Sequence, residues 1–353
     1  MIAMKTNGIE MENVIHNMDL PNDINKPFFS YGIFRPGEIA FHLISEFVDF
    51  EKIAEKTIEG SLKLRDGIVI FDKGSDPVVG YLLFFKKGME QDAYQRIINM
   101  EPGKIYMWNQ DQSKYRHEFN ILFGKKSDKG IDDKKSATKL KVWESRFDSS
   151  WNDPFILNGF KMLEYFSSEE LKLNHSNESI KWEEEFLWEE EFLFNKFLKF
   201  QMLYLFLCSI LERIIFLNGD FRKEEKTDQV IKFANDPIMK KAMDLMIRDT
   251  KFEYFKNEWT RVIHKSNDPD SKVNWKNSPD VPIDTETAML YYYQLRSNIT
   301  HRGKSGIHKF SELESCYYEL KFILQTFWES KENEAKMLRV TINDLIQKRN
   351  ETN

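Results

Sequence analysis

Arg296 and His301 stand five residues apart in the stretch YYYQLRSNITHRG, residues 291–303. From Thr287 to Ser311 the chain carries no acidic residue, while Arg296, His301, Arg302, Lys304, His308 and Lys309 crowd the second half of the same stretch. On a chain of formal net charge -6, this is a local surface for binding an anion. On an ideal helix five residues advance by about 500°, so the two side chains point about 140° apart and do not clasp one small group. Either the helix ends between them, which Gly303 and Gly306 suit, or a second chain completes the site across a two-fold axis. A histidine in the last turn of a helix keeps its proton better through the helix dipole, which raises its pKa from about 6.5 towards neutral pH. The plainer alternative is an Arg296 held in a structural ion pair and a His301 that only caps the helix.

The run Arg296, Ser297, Asn298, Ile299, Thr300, His301 is the R-x4-H pattern, followed by Arg302, Gly303 and Lys304. It resembles the signature of HEPN domains. The resemblance implies a helical bundle, usually dimeric, and a metal-independent ribonuclease of the toxin, abortive-infection or antiviral-defence type, with RNA as substrate and no cofactor. It implies Arg296 and His301 as catalytic residues, with Asn298, Arg302 and Lys304 binding substrate. In that mechanism the 2'-OH of RNA attacks the neighbouring phosphate, His301 moves protons and Arg296 neutralises charge on the phosphorane. The family often has asparagine, aspartate or histidine directly after the arginine; here Ser297 stands there and Asn298 comes one later.

A second candidate is Glu101, in the segment AYQRIINMEPGKIY. A partly buried carboxylate with a raised pKa is the natural base for an ammonium that must lose a proton before it attacks a carbonyl, and backbone amides suit the developing oxyanion. Tyr31, Gly32, Ile33 and Phe34, then Gly80 and Tyr81, then Glu101 and Tyr106, together resemble the gamma-glutamyl cyclotransferase (GGCT, AIG2-like) family. The resemblance implies that the Tyr31 to Phe34 loop holds the glutamyl part of a substrate and that Glu101 shuttles the proton as 5-oxoproline is released. The plainer alternative is that Glu101 merely ends a helix and that the loop is a strand terminus.

The elements that must position these residues occupy a chain of 353 residues, 41% hydrophobic and 31% charged, enough for two folded domains. A sequence pI near 5.8 argues against a protein that coats nucleic acid, so any RNA contact is local. Cys208 and Cys316 lie in apolar helical contexts without metal spacing, as reduced core thiols of a cytoplasmic protein do. No secretory signal is visible, no metal-ligand set appears, and no membrane segment is expected. The apolar run 197–217 is interrupted by Lys199, Gln201, Glu212 and Arg213, which marks a buried helix.

The expected fold class is α+β: a small mixed β-barrel or sheet, GGCT-like, followed by an all-α helical bundle, HEPN-like. Residues 1–27 are a flexible leader. The first domain covers 28–165, with a strand before Gly32, a helix at 38–50, and strands at 56–64, 67–71 and 78–85 joined by the turns RDG and DKGSDP. A helix at 91–100, a strand at 104–108, an exposed charged insert at 124–139 and a helix at 155–166 complete it. A linker at 166–180 leads to the helical domain, 181–345, and a tail at 346–353. The helical domain opens on six glutamates interleaved with aromatics at 183–191, a solvated face or an acidic partner surface. Glu212 is placed to orient Arg296 or to form an ordinary surface pair. Helices follow at 236–249 and 251–265, then a loop or lid at 266–282 and the motif helix from Ile283, whose tyrosines 291–293 offer stacking surfaces for bases. Ser311 and Glu314 form a capping box for the last long helix.

The leading functional expectation is a homodimeric endoribonuclease regulated by the first domain, through a small-molecule ligand or a phage component. The alternatives are a cyclotransferase with a HEPN-like dimerisation module, and a non-catalytic sensor or scaffold.

Overall fold

The computed structural model describes residues 18–65, 68–101, 103, 105–108, 115, 118–125, 151, 153–168, 182–219, 225–265, 270–302 and 310–352. At 64, 65, 68, 154, 182–195, 301, 302 and 310 the backbone alone is described. The fold is mixed α and β, and its contacts divide it into two units. The first comprises Met1–Arg35, Ile44–Lys141 and Ile346–Asn353; the second comprises Pro36–Leu43 and Val142–Leu345.

The first unit is built on an antiparallel sheet of β1 (Phe28–Ser30), β2 (Ala54–Arg65) and β3 (Ile68–Leu83), in the order β1-β3-β2. The expected turn at DKGSDP is instead part of β3. Leu62 pairs with Phe71 and Ile58 with Val78, so both flanking runs bond to one continuous β2 and the chain has no room to reverse between them. The register shifts between Gly60 and Ser61, which face Asp76 and Asp72, and residues 73–75 form a bulge. A Cβ on Gly74 would lie 2.7 Å from the Gly60 carbonyl oxygen, so the turn-like glycine serves the bulge.

The expected helix at 38–50 is replaced by short 3-10 turns at Phe41–Leu43, Ser45–Phe47 and Phe50–Lys52. Asp49 N donates to Phe84 O and Lys86 N to Phe47 O, and these sheet-like bonds draw the backbone out of helical geometry. Helix α1 (Glu90–Met100) buries Ala93, Tyr94, Ile97, Ile98 and Met100, and β4 (Tyr106–Trp108) pairs with β5 (Leu122–Gly124). Among the described residues the strands form open sheets and no barrel, so the sheet alternative holds. Part of the expected leader is tied down: Trp108 Nε1 donates to the Asp19 carbonyl at 2.8 Å, Asn120 Nδ2 to that of Asp23 at 2.8 Å, and Tyr94 Oη to that of Lys26 at 2.6 Å. Most of the expected insert, and the interior of the expected linker, lie outside the described residues.

In the second unit α2 (Pro154–Ser168) runs along α3 (Trp182–Asn218). Gly159 allows the close approach, since a Cβ there would lie 2.8 Å from Ile210. This helix therefore groups with the helical unit, and not with the first domain whose end it was expected to form. Then come α4 (Lys226–Ala234), α5 (Pro237–Arg248) and a 3-10 segment, Thr250–Lys256. The all-α expectation fails next. Strands β6 (Trp259–His264) and β7 (Lys272–Asn277) form an antiparallel hairpin where a helix and a loop were expected. Trp275 and Asn277 point inward between exposed Lys272, Asn274 and Lys276, a period of two that the flanking prolines and charges obscure.

Helices α6 (Thr285–Arg302) and α7 (Phe310–Thr352) close the chain. Within α3 the segment Lys196–Asn218 is long and apolar enough to cross a membrane, with a mean hydropathy of 1.8, and 56% of its most apolar window is buried. Phe197, Tyr204, Leu207, Ile210, Leu211 and Ile214 are core residues, as expected of a buried helix.

Candidate anion-binding site on the motif helix

Asp284 caps α6: its Oδ1 accepts from Thr287 N at 3.2 Å and its Oδ2 from the Thr287 hydroxyl at 2.5 Å. Two of the three adjacent tyrosines are core residues. Tyr291 Oη bonds the Glu312 carboxylate, Tyr292 Oη donates to Glu319 Oε2 at 2.7 Å, and Tyr204 Oη donates to the Tyr292 carbonyl at 2.8 Å. Trp275 lies against both rings. Tyr293 alone of the three is half-exposed, which confines the expected stacking surface to that ring.

The Arg296 guanidinium lies 5.7 Å from the centre of the Tyr293 ring. Its Nη2 is 3.1 Å from Glu212 Oε1, a close ion pair whose angle falls outside hydrogen-bond geometry. Glu212 Oε2 accepts from Lys226 Nζ at 2.8 Å, so one carboxylate on α3 is shared by two cations. Cys208 lies one turn before Glu212 on α3; burial pushes its thiol pKa up, Arg296 works against that and Glu212 adds to it. The neighbouring Arg213 is directed elsewhere, to buried Asp153 at 2.8 Å, which in turn caps α2 through Ile156 N. The structure thus brings Glu212 to Arg296, and it adds Lys226, which the sequence did not single out.

The helix does not end between Arg296 and His301. Both lie within α6, so their positions differ by about 140° around one axis. That removes the alternative in which the helix ends between them. Asn298, expected at the substrate, has its amide engaged: Nδ2 donates to the His264 carbonyl at 2.9 Å and Oδ1 accepts from Gln294 Nε2 at 2.9 Å. It ties α6 to the end of β6. Arg302 is in the last turn of α6, and Lys304 lies outside the described residues.

In the first unit Tyr31 is buried; its hydroxyl donates to the Leu122 carbonyl at 2.8 Å and accepts from Phe71 N at 3.2 Å. Tyr106 is buried likewise and donates to the Val69 carbonyl. Burial raises both phenol pKa values and the charge of Glu101 raises them further, so Glu101, Tyr31 and Tyr106 share one electrostatic neighbourhood. Glu101 also stands at the end of α1, its N–H on the Ile97 carbonyl, as the plainer alternative has it. Gly32 accepts from Arg35 N at 3.1 Å in a turn, Ile33 is half-buried, and Phe34 is a core residue packed edge-on against Phe28.

Among the described residues no group of three or more histidine, cysteine, aspartate or glutamate side chains is placed to hold a metal ion. Comparison of the chain with protein-family models, with curated proteins and with solved structures returns no match.

Proposed function

We propose that this protein is a metal-independent, HEPN-type endoribonuclease of the toxin or antiviral-defence kind, cytoplasmic and homodimeric, and regulated through a GGCT-like first domain. The observation that carries the reading is the setting of Arg296. It is a partly exposed guanidinium, side chain 30% exposed, on the helix that also bears His301, with a single carboxylate shared between it and Lys226. An arginine held this way keeps donors free to meet a phosphate.

In the proposed reaction the ribose 2'-oxygen forms a bond to the adjacent phosphorus and the 5'-oxygen leaves, giving a cyclic phosphate end. His301 moves the proton between the two oxygens and Arg296 balances the charge that builds on the phosphorane. Because the two positions diverge on α6, the working site combines residues of two protomers about a two-fold axis.

The test is induction of the wild-type chain beside an Arg296→Ala/His301→Ala double variant, with total RNA examined for each. The wild type should arrest growth and fragment RNA, and the variant should do neither; arrest and fragmentation that survive both substitutions remove the reading.

One observation favours a second activity, the electrostatic closeness of Glu101 to Tyr31 and Tyr106. On the cyclotransferase reading Glu101→Gln abolishes 5-oxoproline release and leaves RNA cleavage untouched.

A further inference from the structure

A hollow of about 540 Å³ in the helical unit is lined by α7, by the 3-10 segment Thr250–Lys256 and by Glu164 near the end of α2. None of its lining residues belongs to the motif helix. Its apolar surface is aromatic: Phe252, Tyr254, Tyr318 and Phe322. Also in the lining is Lys321, whose side chain is only 9% exposed. Its ammonium meets the Glu164 carboxylate, and among the described residues no other acid is paired with it.

The two partners are unequal. A buried ammonium needs a counter-charge, because its desolvation is otherwise uncompensated. Here that charge is carried by a glutamate whose side chain is 72% exposed. Released from Lys321, Glu164 regains full hydration at once, while Lys321, set among aromatic rings, has to find another anion. The pair therefore acts as a cation covered by a displaceable carboxylate beside an aromatic surface. Exposed Lys251 adds a second positive charge to the lining, and Glu314, whose carboxylate lies 3.9 Å from Lys196, adds a second acid.

We propose that this hollow binds a small planar anion, an aromatic ring bearing one carboxylate, sulfonate or phosphate group. The ring lies against the aromatic lining, and the anionic group replaces Glu164 on Lys321. The proposal does not rest on RNA cleavage.

The test is isothermal titration of the full chain with naphthalene-1-sulfonate, beside the uncharged naphthalene-1-methanol and inorganic sulfate. The sulfonate should bind at one site, the alcohol about tenfold more weakly, and sulfate without measurable heat, since neither the ring nor the charge suffices alone. Lys321→Met should weaken sulfonate binding about tenfold, with far-UV circular dichroism confirming the fold. Glu164→Gln, at an exposed position, should tighten binding about threefold or more, because the competing carboxylate is gone. Equal or weaker binding by the Glu164→Gln chain, or equal binding of the alcohol, overturns the proposal.

Discussion

Arg261 and Glu319 form a two-pronged pair inside the helical unit, with Nη1 2.7 Å from Oε2 and Nη2 2.8 Å from Oε1. Glu319 is fully buried; Tyr292 and Tyr254 also donate their hydroxyls to it. The guanidinium lies 4.5 Å from the centre of the Trp259 ring and 5.2 Å from that of Trp275. One carboxylate on α7 thus gathers β6, the 3-10 segment and α6. Tyr292 is one helical turn before Arg296, so this network fixes the helix on which the proposed chemistry stands.

Glu319→Gln leaves a largely buried guanidinium, its side chain 12% exposed, without its counter-charge and should cost about 3–5 kcal/mol. Tyr292→Phe removes one hydrogen bond to a charged group and should cost less, about 1.5–3 kcal/mol. Urea denaturation measures both; a Glu319→Gln loss below about 1 kcal/mol would show that the pair is not what holds these elements together.

Glu212 lies in a partly exposed pair, 26% exposed against 30% for Arg296, where solvent screening keeps the stability contribution below about 1 kcal/mol. Its importance on the proposed reading is to aim Arg296. Glu212→Gln should therefore unfold at nearly the wild-type urea concentration yet cleave RNA about tenfold more slowly, with the loss in kcat rather than KM. Glu212→Asp should recover part of it. A Glu212→Gln chain with unchanged kcat removes this positioning role.

His42 is half-buried, and its Nε2 lies 3.3 Å from the Asn218 carbonyl. Desolvation lowers its pKa from the ordinary 6.5, and the nearby Lys331 lowers it further, against smaller opposing contributions from the Asn218 and Ile39 backbone and from Asp236. The unfolded chain thus takes up a proton at His42 before the folded one does. The stability associated with neutral His42 is complete above pH 6.5 and declines as the pH falls from there to the lowered folded value. Compared with His42→Gln, the wild type should lose more stability between pH 7.5 and 5.5, measured by denaturation at each pH. Parallel curves for the two chains contradict the assignment.

Gly80 lies against β1, and a Cβ there would be 2.5 Å from the Phe29 ring and 2.7 Å from the Ser30 carbonyl oxygen. Gly80→Ala should destabilise by about 1–3 kcal/mol through overpacking. Gly32 is the contrast, with nothing within 4 Å of an added Cβ. Gly32→Ala should change stability by about 0.5 kcal/mol or less, so any large loss of ligand binding there reports on the loop itself. Thermal unfolding of the two variants separates the cases; equal destabilisation contradicts this packing account.

Much of the architecture is legible in local pattern. The period of α1 and α2, the apolar run of α3 and the alternation in β2 follow from which residues must leave water, and a residue's neighbours in sequence decide that. The Arg296 and His301 spacing likewise fixed their divergence as soon as both were known to lie on one helix. Other features depended on pairing between distant segments. DKGSDP has turn chemistry, yet it becomes a bulge because β2 supplies one continuous partner for both halves of β3. Trp259 to Asn277 carries no local strand signal strong enough to outweigh Pro269 and its charges, and its hairpin forms because Trp275 packs on α6 and Arg261 meets Glu319 on α7. Asn298 looked available to a substrate until the fold brought the His264 carbonyl to it. The residue types set which chemistry is possible, while burial and long-range hydrogen bonds determined which side chains remain free to perform it.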